Sequence, residues 1–168
     1  MIRAAGIIQP WWLDVPSVYG FFGILLFAYD RFLWNHWPFS RLPMFKIADL
    51  SGTWQLEIRT SHDEFAQSVT GRALIRQSAS RMSISIETTQ STSHSLTASL
   101  LPLERLHDFE LTYHYRNDPK PQAPPSMESH YGITALRFSG TPVRLQGEYF
   151  SGRGRQQHGV VALTRAGG

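Results

Sequence analysis

The chain has 168 residues, with sixteen Lys and Arg against thirteen Asp and Glu, seven His and no Cys. Disulfide frameworks, thiolate metal sites and Cys nucleophiles are excluded, while 42% hydrophobic and 17% charged residues are too apolar for a disordered chain and suffice for one folded domain with an appendage. The formal charge of +3 does not imply polymeric nucleic acid as a partner: residues 1–48 hold four cations and two anions and residues 49–168 hold twelve and eleven, whereas duplex binding rests on many phosphate contacts.

The first quarter of the chain has its own composition, with four of the five Trp and six of the ten Phe before Lys46. Counted generously, residues 15–34 give about 20 mostly apolar positions, the length of a membrane span. Counted strictly, Val18 to Tyr29 is 12 residues, which also fits a core helix or an interfacial segment. Trp11 and Trp12 before this stretch, and Trp34 and Trp37 after it, resemble aromatic belts at two membrane interfaces. A cleaved signal peptide fits poorly, because bulky Phe39, Leu42, Met44 and Phe45 stand where small residues are needed. Arg31, Arg41 and Lys46 lie after the stretch and only Arg3 precedes it, so the positive-inside rule places the larger, C-terminal part of the chain in the cytoplasm. The expected organisation is a membrane segment over 1–37, a linker over 38–48 stiffened by Pro38 and Pro43, and a second domain over 49–168.

From Thr53 the hydrophobic pattern has period two. Trp54, Leu56 and Ile58 alternate with Gln55, Glu57 and Arg59, and the same alternation recurs at Met82-Ile84-Ile86, Leu111-Tyr113-Tyr115 and Val143-Leu145-Gly147-Tyr149. Eight strands are expected, at about 53–60, 68–77, 80–90, 94–103, 109–117, 131–139, 142–150 and 158–165. The fold class is all-β: an eight-stranded, up-and-down, lipocalin-like barrel behind an N-terminal transmembrane helix. Closing the meander removes its edges and leaves room for side chains or one small ligand; an open sandwich is the alternative. Ser139-Gly140-Thr141-Pro142 reads as a tight turn and Ser151-Gly152-Arg153-Gly154 as a longer hairpin loop. Four Pro between Asp118 and Pro125 predict an extended loop. Residues 78–99 carry twelve Ser or Thr, either a solvated hairpin or small donors at a barrel mouth.

No catalytic constellation emerges. The His, at positions 36, 62, 94, 107, 114, 130 and 158, show no i, i+4 pair, and there is no G-x-S-x-G elbow and no complete dinucleotide fingerprint. The chain reads as non-enzymatic, with no cofactor. In Gly152-Arg153-Gly154-Arg155 the glycines permit close backbone approach and the Arg forks match phosphate oxygens, unless the loop is simply a solvated hairpin. Tyr113, Tyr115, Arg116 and Asn117 can stack on a base and read its edge, or the two Tyr are ordinary core aromatics.

In order, the hydrophobic segment, Asp49-Leu50-Ser51-Gly52-Thr53-Trp54, Tyr115-Arg116-Asn117-Asp118-Pro119-Lys120-Pro121, Gly147-Glu148-Tyr149-Phe150-Ser151-Gly152-Arg153-Gly154-Arg155 and His158-Gly159 resemble the transmembrane β-barrel effectors of bacterial cyclic-oligonucleotide anti-phage signalling (CBASS), the SMODS-associated family with two transmembrane helices and a β-strand-rich domain. The resemblance covers residues 15–165. It implies a barrel that binds a cyclic dinucleotide from a partner nucleotidyltransferase, self-associates into a homo-oligomer, and disrupts the lipid of the inner membrane to kill the infected cell. The ligand-binding residues expected on the matching motifs are Trp54, Tyr115, Arg116, Asn117, Tyr149, Arg153 and Arg155. The family carries two membrane segments, and Ile2 to Pro10 is too short for a first one. A membrane-anchored carrier of an apolar small molecule, or a structural interaction module with a filled barrel, are the other readings of the same strands.

Overall fold

The computed structural model describes residues 11–36, 47–103, 108–152 and 157–167. The chain divides into two compact units, Met1–Ile47 and Ala48–Gly168.

In the first unit, α1 (Trp11–Ala28) continues into a π-helical turn, Tyr29–Leu33. From Val18 to Phe27 its large apolar side chains are exposed. No helix among the described residues is long and apolar enough to cross a membrane, which differs from the transmembrane helix expected over 15–34. The physical reason is the short apolar run. Pro16 and Ser17 precede it and the Asp30-Arg31 pair comes after it, leaving twelve residues, about 18 Å of helix against a hydrocarbon core of about 30 Å.

The second unit is a closed antiparallel barrel of eight strands in sequence order. The strands are β1 (Gly52–Thr60), β2 (Ser68–Gln77), β3 (Met82–Thr88), β4 (Ser91–Pro102), β5 (Asp108–Pro119), β6 (His130–Ser139), β7 (Arg144–Ser151) and β8 (His158–Arg165). Pairing of β1 with β8, from Trp54↔Arg165 to Thr60↔Gly159, closes the barrel and decides against the open sandwich. The expected strand bounds hold to within two residues except at the β3–β4 hairpin. There Thr88 and Ser91 turn tightly about Thr89-Gln90, so β3 is shorter and β4 starts earlier than its pattern predicts. The Thr88 hydroxyl holds this turn by accepting from Ser91 N–H at 3.0 Å. A bulge between Ser95 and Thr97 lets β4 leave β3 at His94 while it stays paired with β5 as far as Pro102.

The Pro-rich loop is not extended. Ala123 N–H donates to Lys120 C=O and Met127 N–H to Pro124 C=O, which makes two turns with Pro121 and Pro125 at the second positions, where the fixed φ of proline fits. Lys120 ties the loop to the β3–β4 hairpin: its ammonium donates to Glu87 (2.7 Å) and Thr88 C=O (2.8 Å), and its N–H to Gln90 C=O.

One end of the barrel is packed solid. Leu50, Trp54, Ile75, Ile84, Leu111, Leu136, Leu145 and Leu163 have essentially no solvent exposure, and Phe109 stacks on its cross-strand partner Phe138 at 5.3 Å. Residues 48–51 close this end. Gln77 grips the segment from both sides, accepting from Leu50 N–H and donating to Ala48 C=O. Arg165 donates to Asp49, Ser51 and Pro142 carbonyls at 2.8, 3.0 and 3.2 Å while its guanidinium lies 4.6 Å over the Trp54 ring.

Candidate functional site: the open end of the barrel

The inward alternation changes chemistry as the strands run toward the other end. In β1, Trp54 and Leu56 give way to Ile58 and Thr60; in β3, Ile84 and Ile86 to Thr88; in β5, Leu111 to Tyr113, Tyr115 and Asn117. The even strands run the other way and start polar: Ser91 and Ser93 in β4, His130 and Thr134 in β6. The result is a cavity of about 390 Å³ at this end, lined by hydroxyls and amides above an apolar floor of Ile58, Ile86 and Val161. Its size falls in the range of about 300 to 1,000 Å³ typical of small-ligand sites.

Two tyrosines stand on glycines. Tyr115 pairs across strands with Gly132, and Tyr149 with Gly159. A Cβ at Gly132 would overlap the Tyr115 hydroxyl, and one at Gly159 would overlap the Tyr149 ring. Each glycine therefore lets a phenol ring lie close against the neighbouring strand. The Tyr115 ring is fixed further by Tyr113 at 6.2 Å and His130 at 6.4 Å, the latter edge-on. Asn117 is buried, and its side-chain oxygen accepts from the Ser93 hydroxyl at 2.7 Å. That bond leaves the amide NH₂ as the donor Asn117 offers.

Burial pushes the Tyr113 phenol well above the usual tyrosine range; the hydrogen bond with Thr134 opposes the shift and Tyr115 adds to it. Tyr113 is a buried, neutral member of the cavity wall.

Of the residues expected to bind ligand, Tyr115, Asn117 and Tyr149 line this cavity. Arg116 does not. Strand alternation turns it outward between Tyr115 and Asn117, where it pairs with Asp118 at 2.9 Å. Asp118 is held below the usual carboxylate range chiefly by the Ser129 hydroxyl, then by Arg116 and His94. Trp54 faces inward but belongs to the packed end, its indole N–H donating to Leu50 C=O at 2.9 Å. Arg153 and Arg155 lie outside the described residues. The loop that carries them departs at Ser151 and returns at Gln157, both of which line the cavity and are joined by a 2.8 Å hydrogen bond from Ser151 N–H to Gln157 C=O. Among the described residues the lining contains no Lys or Arg.

Sequence reasoning missed Thr60, His62, Asp63, His130 and Thr134; Thr88, Ser91 and Ser93 belong to the Ser/Thr-rich stretch read as either a solvated hairpin or small donors at a barrel mouth, and they line the cavity. The signal was present: nearly every inward face turns from aliphatic to hydroxyl or amide at the same end of the barrel. β2 and β8 are the exceptions, with Val69 and Val161 at the cavity and Gln77 at the packed end.

Residues 45–165 match the family described as Cap15, cyclic dinucleotide receptor domain. The chain is also 32% identical over 144 residues to CD-NTase-associated protein 15 of Yersinia aleksiciae, an alignment that covers 85% of this chain and 68% of that protein.

Proposed function

This chain belongs to the Cap15 cyclic dinucleotide receptor family of CBASS effectors, and from that premise we propose that the open end of its barrel is where a cyclic dinucleotide made by a partner nucleotidyltransferase binds. The observation that carries this reading is the confinement of the polar lining, with its two glycine-backed tyrosines, to one end of a barrel whose other end is filled. Tyr115 and Tyr149 offer surfaces for the bases, and the Asn117 amide offers a donor. Arg153 and Arg155, on the loop between Ser151 and Gln157, supply the cations for two phosphates. The role is reception without catalysis. A nucleotide offers partners to the hydroxyls and amides of the lining, which a wholly apolar passenger would leave unpaired.

The first unit fits the other half of an effector's task. A helix that is apolar all round needs covering by protein or lipid, and Val18 to Phe27 is exposed along its length. We place it in the inner membrane with the barrel in the cytoplasm, the bilayer disrupted when ligand-bound copies self-associate. Ligand can drive assembly only through differential affinity, about 5.5 kcal/mol for a swing from 1:99 to 99:1.

The test is calorimetric titration of the full chain in detergent with cyclic dinucleotides, beside Tyr115→Ala and Asn117→Ala. Saturable binding that weakens about tenfold or more in each variant is expected. Affinity indifferent to both substitutions would move the site elsewhere. Dye leakage from cells expressing the full chain, and light scattering of residues 48–168 with and without ligand, separate membrane damage from assembly. A barrel that binds tightly and stays one size while the full chain still causes leakage would remove assembly as the trigger.

A further inference from the structure

Closure pairs most of the barrel's strands on both sides, and the longest exception among the described residues is in β4. It pairs with β3 only at Thr92, Ser93 and His94, while its pairing with β5 continues to Pro102. β3 is too short to follow, because it begins at Met82, after a turn closed by Ser78 N–H to Arg81 C=O. In the register of Ser85↔His94, Met82 would stand opposite Thr97, so residues 98–102 run past the end of β3. Where the two strands part, Ile84 N–H donates to the Ser95 hydroxyl at 2.9 Å rather than to the backbone of β4.

In an antiparallel pair every second residue turns its N–H and C=O away from its neighbour. Along residues 97–101 those groups of β4 meet no strand among the described residues, which leaves an edge that another strand can extend. The usual protections of such an edge are missing. Ser95 to Leu103 contains no charged residue, and its one proline, Pro102, comes at the end of the strand. Ala98 and Leu100 pack on the core, whereas Thr97, Ser99 and Leu101 are exposed on the outer face.

Two identical edges meet antiparallel about a twofold axis, and directly opposed residues lie on the same face of a sheet. The axis must therefore pass through a residue position rather than between two. At Ser99 it sets Thr97 opposite Leu101 and Ala98 opposite Leu100, and it uses the edge as far as Pro102, which has no N–H to give. An uncharged edge opposes no like charges when it meets its own copy, whereas a charged partner strand would find no counter-charge along it.

We propose that two copies of this chain join along this edge, residues 97–101 pairing with the same residues of the second copy about an axis at Ser99 and running two barrels into one sheet. This rests on the reading that copies of the chain self-associate. β4 also carries Ser91 and Ser93 to the cavity, so the ligand site and the edge share one strand.

The chain has no Cys, so single cysteines report the contact. The full chain in detergent, carrying either Ser99→Cys or Gln55→Cys, is oxidised mildly with and without cyclic di-GMP, cyclic di-AMP and cyclic di-UMP. Gln55 is the control, exposed on β1, which is paired on both sides. Two copies of residue 99 facing across the axis stand about 4.5 to 5.5 Å apart at Cα, within disulfide reach. A covalent dimer is expected from Ser99→Cys and little from Gln55→Cys. Ser99→Lys sets a charge opposite its own copy, and it should raise the protein concentration needed for assembly about fivefold or more in light scattering, with ligand affinity unchanged. If the wild-type chain stays one size with every ligand, self-association fails and this contact with it. If it assembles, and Ser99→Lys assembles at the same concentration or the two cysteines cross-link equally, the contact alone is wrong. Capture of a different protein through Ser99→Cys, from a chain that stays one size, would give the edge to another partner and overturn the proposal.

Discussion

The two ends of this barrel are made by the same strands under the same alternation, and they do opposite things. At the packed end the inward residues are Trp54, Leu111, Leu136, Leu145 and Leu163, all essentially without exposure, and the polar groups there, Gln77 and Arg165, are spent on the carbonyls and N–H of residues 48–51 and Pro142. At the open end the inward residues add hydroxyls, amides and phenols around a cavity whose floor is apolar, at Ile58, Ile86 and Val161. The contrast teaches that a small barrel can keep stability and recognition in separate halves of one sheet: filling one end closes the core, and the other end is then free to be polar and hollow.

Substitutions at the two ends should therefore differ in kind. The largest effect belongs to Trp54→Ala. Losing a fully buried indole, together with its bond to Leu50 and its stack under Arg165, should lower unfolding free energy by about 3 to 5 kcal/mol in chemical denaturation. A loss below about 1 kcal/mol would mean the packed end does not carry the core.

Next comes Arg153→Ala combined with Arg155→Ala. With two charge-assisted pairs to phosphate removed, each worth about 1.5 to 3 kcal/mol, dinucleotide affinity should fall by about 3 kcal/mol or more while the melting temperature stays put. Unchanged affinity in calorimetry would take both residues out of the site.

Arg165→Ala sharpens the comparison, because it removes an Arg from the other end. Its three carbonyl bonds and its stack on Trp54 predict a loss of about 2 kcal/mol in stability, with ligand affinity of the folded chain unaltered. An affinity change as large as that of the double variant would show the two ends to be coupled.

The smallest effect is at the boundary between the ends. Burial keeps the Tyr113 phenol protonated above the usual range, so the folded chain holds a proton that the unfolded chain releases. The associated stability is complete below about pH 10 and declines as pH rises beyond that. Tyr113→Phe should cost about 1 kcal/mol at neutral pH and remove the part of the alkaline slope that Tyr113 contributes. An identical slope in both chains would assign it to other groups.

Much of this was legible in the residues. Period-two alternation located all eight strands, and the short connections implied the meander whose closure pairs β1 with β8. What the pattern could not register was local bonding. The Thr88 hydroxyl makes a two-residue turn out of a Ser/Thr-rich stretch, and paired turns fold the Pro loop back on Lys120. At the site, Tyr115, Asn117 and Tyr149 were readable as aromatic and amide groups on motif strands. Arg116 follows from the alternation itself: residues 115, 116 and 117 cannot all face one side of a strand. Asp63 was beyond reach, because it lines the cavity from the short turn after β1, where strand alternation does not say which way a side chain faces.

The most direct test of the central claim is to watch backbone amides by NMR in a chain starting at Ala48, which retains the Gln77 clamp on Ala48 and Leu50 and is expected to fold, as a cyclic dinucleotide is added. The account predicts large shifts at Thr60, Asp63, Ser91, Ser93, Asn117, His130, Tyr149 and Gln157, with Leu50, Trp54, Leu111, Leu136 and Leu163 unmoved. Shifts concentrated at the packed end or on the outward face around Ile133 and Phe150, with the open end silent, would contradict it.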